Sequence, residues 1–123
     1  MKTAQLKDLT TGQLVEKYRE LSARHGHAIE AGNHKAANRD FDVVVAINKE
    51  LRVRGIEAHR QLLSLLNDQE PGTRCWAATD VLAFAPQEGE RVLAELAKIP
   101  KSLVGFTAEM TLQQWKAGTY KPW

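Results

Sequence analysis

The densest set of potential metal ligands is the segment HGHAIEAGNH, which holds His25, His27, Glu30 and His34. Zinc needs three or four ligands that converge on one point. On a helix His25 and His27 lie about 200° apart and face opposite sides. Gly32 is predicted to end that helix between Glu30 and His34. We therefore predict no metal site and no cofactor, with one half-buried histidine and two that face solvent.

The single cysteine, Cys75, is the best candidate for a nucleophile. It lies on a predicted stripe of small residues, where a buried thiol acts as a small hydrophobe. The neighbouring Arg74 and a predicted helix start are the features that would favour a thiolate. No histidine is placed in sequence to activate it, and the chain has no glycine-rich phosphate loop or paired-cysteine motif. We expect a protein that is not an enzyme; a thiol- or metal-dependent enzyme is the less favoured hypothesis.

Asp68 and Arg74 could serve as an acid and base pair, but a structural role is favoured. An Asp in a turn can cap the following helix, and an Arg in the first turn of that helix can reach back to the carboxylate. Asn33 and Arg39 stand at corresponding positions one hairpin earlier. We predict that these four residues hold turns and helix ends.

The elements that must position these residues are helices. Apolar residues recur at helical spacing almost throughout, and no segment alternates like a half-buried strand. Six helices are predicted: from a cap at Thr10 or Thr11 to Gly32, from His34 to Arg54, from about Glu57 to Leu66, from Pro71, from Pro86, and from Ser102 to Gly118. They form three antiparallel hairpins, at about 11–54, 57–85 and 87–117, followed by a tail at 118–123.

Length and charge limit the function classes. A chain of 123 residues is the size of one domain. Seventeen Lys and Arg against fifteen Asp and Glu give a net charge of +2, too small for the overall field to select nucleic acid or a membrane. The start of the chain lacks the apolar core of a signal peptide, and no apolar run could span a bilayer. We expect a soluble, cytoplasmic protein.

The stretch LLSLLNDQEPGTRCWAATDVLAF resembles a HEAT repeat, a helical hairpin with a Leu-rich first helix, an Asp in the turn, an Arg six residues later and an Ala-rich second helix. The whole chain resembles a small bacterial family of unknown function with HEAT-like helices, through NHKAANRDFD, INKELRVRG, the middle hairpin and LQQWKAG. This resemblance implies a short right-handed α-α superhelix. It transfers no catalytic residue.

Trp76 is the residue that most invites a binding interpretation. It is rotated about 200° from Ala78, which marks the buried stripe, and shares its side of the helix with Asp80. In HEAT-like stacks the second helix of each hairpin lines the concave face, where Phe41 and Phe106 take corresponding positions. Phe41, Trp76, Asp80 and Phe106 are therefore our candidate partner-binding residues. The alternative is that the aromatic rings pack on one another.

The sequence thus favours a non-enzymatic module that binds an unidentified protein partner, as a monomer or weak homodimer. An immunity-type or regulatory role in a bacterium is the more specific hypothesis within that class. The alternative is a nucleic-acid-binding helical stack using Arg39, Lys49, Arg52 and Arg54, but interspersed acids make this unlikely. Tyr120 and Trp123 in the tail are expected to dock on the last hairpin rather than remain exposed.

Overall fold

A computed structural model describes residues 3–121 of the chain. This part contains six α-helices, two short 3-10 helices at Thr3–Asp8 and Gln61–Asn67, and no strand. The α-helices are α1 (Thr11–Glu30), α2 (His34–Arg54), α3 (Ile56–Arg60), α4 (Pro71–Val81), α5 (Pro86–Ala97) and α6 (Leu103–Lys116). The prediction of an all-α fold is confirmed.

Local capping fixes three of the helix starts. At α1 the Thr10 side chain accepts a hydrogen bond from the Gln13 amide at 3.1 Å, and the Gln13 side chain accepts one from the Thr10 amide at 2.9 Å. Asn33 accepts from the Ala36 amide at 3.2 Å, and Ser102 accepts from the Gly105 amide at 2.9 Å. Each contact satisfies a backbone donor that has no partner within its helix. The predicted starts at Thr10 and Ser102 and the capping role of Asn33 are confirmed.

The predicted helix at about Glu57–Leu66 is only partly regular. Helix α3 ends at Arg60, and the chain continues as a 3-10 helix over Gln61–Asn67. Three residues per turn bring positions i and i+3 onto one edge, so Leu62 and Leu65 both reach the core. The tighter winding therefore allows this short segment to bury its leucines.

Helix α1 is the central element of the packing. It packs against both α2 and α4, and α4 in turn packs against α5 and α6. The crossing of α1 and α4 is close because glycines meet there: a Cβ added at Gly72 would lie 2.7 Å from the Ser22 carbonyl oxygen, and one added at Gly26 would lie 2.9 Å from the Gly72 Cα. Next to the crossing, the buried Ser22 hydroxyl donates to the Thr73 hydroxyl at 2.9 Å. The close crossing places α1 against a face of α4 that the sequence pattern predicts to be open.

Candidate functional site

A groove of about 510 Å³ is lined by residues of α1, α2, α4 and α6 and by Tyr120 from the tail. We call it the central groove. Its lining includes His25, Phe41, Cys75, Trp76, Asp80 and Tyr120. A concave site with a few polar groups among apolar side chains is the usual form of a binding pocket. The groove is therefore our candidate functional site.

One wall of the central groove is a cluster of three rings. The Trp76 ring centroid lies 5.3 Å from that of Phe41 and 5.3 Å from that of His25, both in edge-to-face geometry. The Trp76 indole N–H donates to His25 Nδ1 at 3.1 Å. Because an indole can only donate, the proton of neutral His25 lies on Nε2. Trp76 is thus half-buried, held by its neighbours and at the same time part of the groove lining.

The lining of the central groove includes one buried carboxyl group, that of Asp80. Asp80 is buried, and the hydroxyl of the fully buried Tyr18 donates to its Oδ2 at 2.8 Å. Burial raises the pKa of Asp80 to about 7, against the lowering effect of the Tyr18 hydrogen bond. Burial and the nearby Asp80 also raise the pKa of Cys75 and of Tyr120, each to about 12. The thiol is therefore a poor source of thiolate, contrary to the activating effect that Arg74 and the helix start could have had.

Asp80 lines the central groove with a carboxyl group that has one hydrogen-bond donor among the described residues. Tyr18 is the hydrogen-bond partner of Oδ2, and Oδ1 accepts no hydrogen bond from the described residues. Within residues 3–121 no fully buried polar side-chain atom lacks a partner. Among the described residues, Oδ1 is therefore the oxygen left for a donor that enters the groove.

The structure corrects two of the four candidate binding residues. Asp80 belongs to the groove lining but is buried and does not lie on an exposed helix face, because α1 covers that side of α4: Thr73 of α4 donates to the Arg19 carbonyl oxygen of α1 at 3.1 Å. Phe106 is 60% exposed but does not line the central groove, to which α6 contributes Val104, Thr107 and Thr111. Phe41, 48% exposed, and Trp76 lie together with their rings in contact, which is the packing that the sequence analysis gave as the alternative to display.

The turn residues have mostly the predicted structural roles. Asp68 accepts from the Glu70 amide at 3.1 Å, which holds the turn but does not cap α4, because the N-cap residue of α4 is Glu70 and no side chain caps it. Arg74 donates to the Asp68 carbonyl oxygen at 2.7 Å, so Arg74 holds the turn through the backbone and not through the carboxylate. Arg39 is exposed and makes no turn contact among the described residues. The prediction for Arg39 is wrong: at this point of α2 the buried residue is the neighbouring Asp40, and it is Asp40 that links α2 to α1.

That link joins α1 to α2 through an ion pair. Arg24 donates to Asp40 through Nε at 2.8 Å and through Nη2 at 2.6 Å, a two-point contact. Arg24 holds the pKa of Asp40 below its ordinary value. The sequence analysis missed this pair. It also missed the hydrogen bond between Tyr18 and Asp80, although a tyrosine at a core position signals a buried acceptor for its hydroxyl.

The potential metal ligands have separate partners. His27 contacts Glu70 at 2.9 Å, whereas Glu30 accepts from the Ser102 hydroxyl at 2.7 Å and from the Leu103 amide at 2.8 Å, at the start of α6. His25 is held by Trp76, and His34 lies at the groove. No group of three or more His, Cys, Asp or Glu within residues 3–121 is placed to hold a metal ion.

The basic residues and the tail also have defined positions. Arg54 donates to Glu50 at 2.9 Å and to the carbonyl oxygens of Leu6 and Lys7 at 3.3 Å, and so holds the N-terminal 3-10 helix against α2.

The Tyr120 amide donates to the Gln114 carbonyl oxygen at 3.1 Å, and the half-buried Tyr120 ring lines the groove. Tyr120 is therefore docked as predicted, while Trp123 lies outside the described residues. No helix in the described range has the length and apolar character needed to cross a membrane.

Comparisons with known proteins agree with this architecture. The crystal structure of the protein RPA1889 from Rhodopseudomonas palustris CGA009 is similar, with a TM-score of 0.83 and 28% sequence identity over 94% of this chain and 95% of that chain. A comparison with curated proteins finds no match. Residues 12–116 match a family described as a domain of unknown function, DUF2019. The chain therefore belongs to the DUF2019 family.

Proposed function

We propose that this chain is a non-enzymatic protein-interaction module that receives a segment of a partner protein in the central groove. The observation that carries the proposal is the pair of Phe41 and Trp76, whose rings contact each other on the groove wall while Phe41 stays 48% exposed. Aromatic side chains at the edge of a concave surface are typical anchors of protein interfaces. Each ring is already ordered by its neighbour, so binding would lose little side-chain entropy.

The chemistry of the groove supports binding over covalent catalysis. The raised pKa of Cys75 leaves very little thiolate at neutral pH. His25 accepts a hydrogen bond from Trp76, and burial lowers its pKa. Both potential catalytic groups are thus committed to the packing of the groove wall.

The proposal includes the finer architecture that the middle hairpin implies. A HEAT-like stack would present α2, α4 and α6 on one side, and residues from all three helices line the central groove. An immunity-type or regulatory role for a bacterial, cytoplasmic, monomeric or weakly dimeric protein remains the specific hypothesis within this class. It rests on analogy of size and architecture.

The test compares two exposed phenylalanines that differ in their relation to the groove. Tagged wild type, Phe41→Ala and Phe106→Ala are used to capture proteins from nuclease-treated lysate of the source cell, and the retained proteins are identified by mass spectrometry. We expect a protein that wild type and Phe106→Ala retain and Phe41→Ala loses. Its direct binding is then measured with the two purified proteins. Equal retention by Phe41→Ala and wild type would refute the groove as the binding site.

A further inference from the structure

The charge in the central groove is one-sided. Among the described residues that line it, Asp80 is the one carboxylate, and none is a lysine or arginine. Its Oδ2 accepts a hydrogen bond from Tyr18, and its Oδ1 accepts none from the described residues. Buried carboxylates in proteins are normally paired with a cation. Here the described residues supply one hydroxyl group and no lysine or arginine.

The rest of the lining suits a cation carried on an apolar stem. Trp76 lies one helical turn before Asp80 on α4, and Tyr120 is close enough to Asp80 for that carboxylate to raise its pKa. Aromatic rings attract cations to their faces. Ile29, Val45 and Val104 add aliphatic surface to the lining, against which the methylene chain of a long basic side chain can pack.

We infer that the central groove binds a lysine or arginine side chain of the partner protein, with its charged end at Asp80 Oδ1 and its stem along the apolar lining. The inference rests on the proposed function and adds the chemistry of the bound residue. A side chain on a protein surface is the favoured source because the groove is open to solvent: His34, Asn38 and Thr107, all exposed, belong to its lining.

Binding of a cation at Asp80 is coupled to release of the carboxyl proton. A cation favours the ionised form of Asp80, so below pH 7 binding requires the carboxyl proton to leave for water. The other titratable groups facing Asp80 or lining the groove are Tyr18 and His25 from α1, His34 from α2, Cys75 from α4 and Tyr120 from the tail. The tyrosines and the cysteine stay neutral between pH 5 and 8, because their pKa values are raised. Burial lowers the pKa of His25, and a His25 that gains charge in acid repels a cation, which acts in the same direction as protonation of Asp80.

The probes are the acetylated amides of lysine and arginine, with the acetylated amide of norleucine as the neutral match. Each is titrated into the full-length protein, and binding is followed by NMR from the Trp76 indole signal and the Thr79 and Asp80 amide signals. We expect saturable shifts with lysine and arginine, and affinity at least about tenfold weaker at pH 5.5 than at pH 8. Equal binding of the norleucine and lysine probes would overturn the inference.

Two pairs of variants complete the test. Asp80→Asn should weaken lysine binding at least about tenfold and leave norleucine binding unchanged. Thr111→Lys places a competing ammonium in the lining of the groove, whereas Met110→Lys places it on the same helix outside the lining. Thr111→Lys should weaken lysine binding and Met110→Lys should not, and this comparison decides the matter if Asp80→Asn does not fold. Lysine binding to Asp80→Asn at wild-type strength would contradict the inference.

The outcome is separable from that of the proposed function. If Phe41→Ala loses the captured protein while Asp80→Asn keeps both that protein and the lysine probe, the groove is an interface and the cation inference fails. If the lysine probe binds through Asp80 while Phe41→Ala retains every captured protein, the cation site stands and the proposed interface is wrong.

Discussion

Asp40 and Asp80 are both buried aspartates, but their surroundings differ. Asp40 on α2 is held by two hydrogen bonds from Arg24, and its pKa is lowered. Asp80 on α4 is held by one hydrogen bond from Tyr18, and its pKa is raised to about 7. Among the described residues, the fold provides a cation for the first and none for the second. A buried carboxylate of this kind beside a groove is a candidate functional group.

The largest effect should come from removing the cation of the paired site. Arg24→Ala leaves Asp40 buried without its partner, and we expect the free energy of unfolding at pH 7 to fall by about 2 kcal/mol, less than for a fully buried pair because Arg24 is 59% exposed. Denaturant unfolding measures this loss. The folded pKa of Asp40 is below 3.8, so the pair stabilises above that pH and the loss should vanish as the pH falls below it.

The matched control is Arg39→Ala, which removes an exposed arginine on α2 beside Asp40. It should change the free energy of unfolding by less than about 0.5 kcal/mol. If the two variants were equally destabilised, the ion pair would not be the stabilising feature of the Asp40 site.

The next effect should have the opposite sign. Asp80→Asn removes a buried charge, so at pH 8 it should raise the free energy of unfolding by about 1.5 kcal/mol. Because the folded pKa of Asp80 is above 3.8, the contribution of Asp80 to stability is most favourable below that pH and is lost as the pH rises through about 7. The variant should lack this loss. Unfolding curves across that pH range, with the exposed Asp42→Asn as control, measure the difference; a destabilised Asp80→Asn at pH 8 would contradict it.

A smaller effect should follow from removing the hydrogen-bond donor that Asp80 has among the described residues. Tyr18→Phe leaves Oδ2 without its hydrogen bond, and we expect a loss of about 1 kcal/mol at pH 8, where Asp80 is ionised. The loss should shrink at pH 5, where the carboxyl group is protonated, and the pKa of Asp80 should rise further. Unfolding measured at both pH values tests this; a loss independent of pH would show that the hydroxyl group does not act on the charge.

An effect of similar size concerns the ring cluster beside Asp80. Phe41→Ala removes the contact with Trp76 and should cost about 1 kcal/mol, while Phe106→Ala should change stability by less than about 0.5 kcal/mol. Thermal unfolding of the two variants checks this. A large loss in Phe41→Ala would mean that Phe41 is a core residue and would weaken its use as a probe of binding.

Sequence patterns predict the local features of this molecule well. The bounds of α2 at His34 and Arg54 follow from Asn33, which caps its start, and from Gly55, which ends it with a positive φ of 119°. These signals act within one helical turn, so they are visible in the sequence itself.

The Asp80 site depends on contacts between distant parts of the chain, which local sequence patterns do not predict. Tyr18 and Asp80 are 62 positions apart, and they meet because Gly26 and Gly72 let α1 cross α4 closely. Helical spacing placed Asp80 on the face of α4 opposite Ala78, but it could not show that α1 covers that face. Phe106 was misplaced for a similar reason, since the rotation of α6 is set by its packing on α5.

The most direct test of the difference between the two sites is an NMR titration of the aspartate carboxyl carbons in the full-length protein. Variants Asp40→Asn and Asp80→Asn assign the two signals. We predict a midpoint near pH 7 for Asp80 and one below 3.8 for Asp40. An Asp80 signal that titrates near pH 4, like that of an exposed aspartate, would contradict the claim that the groove holds a buried carboxyl group with no cationic partner among the described residues.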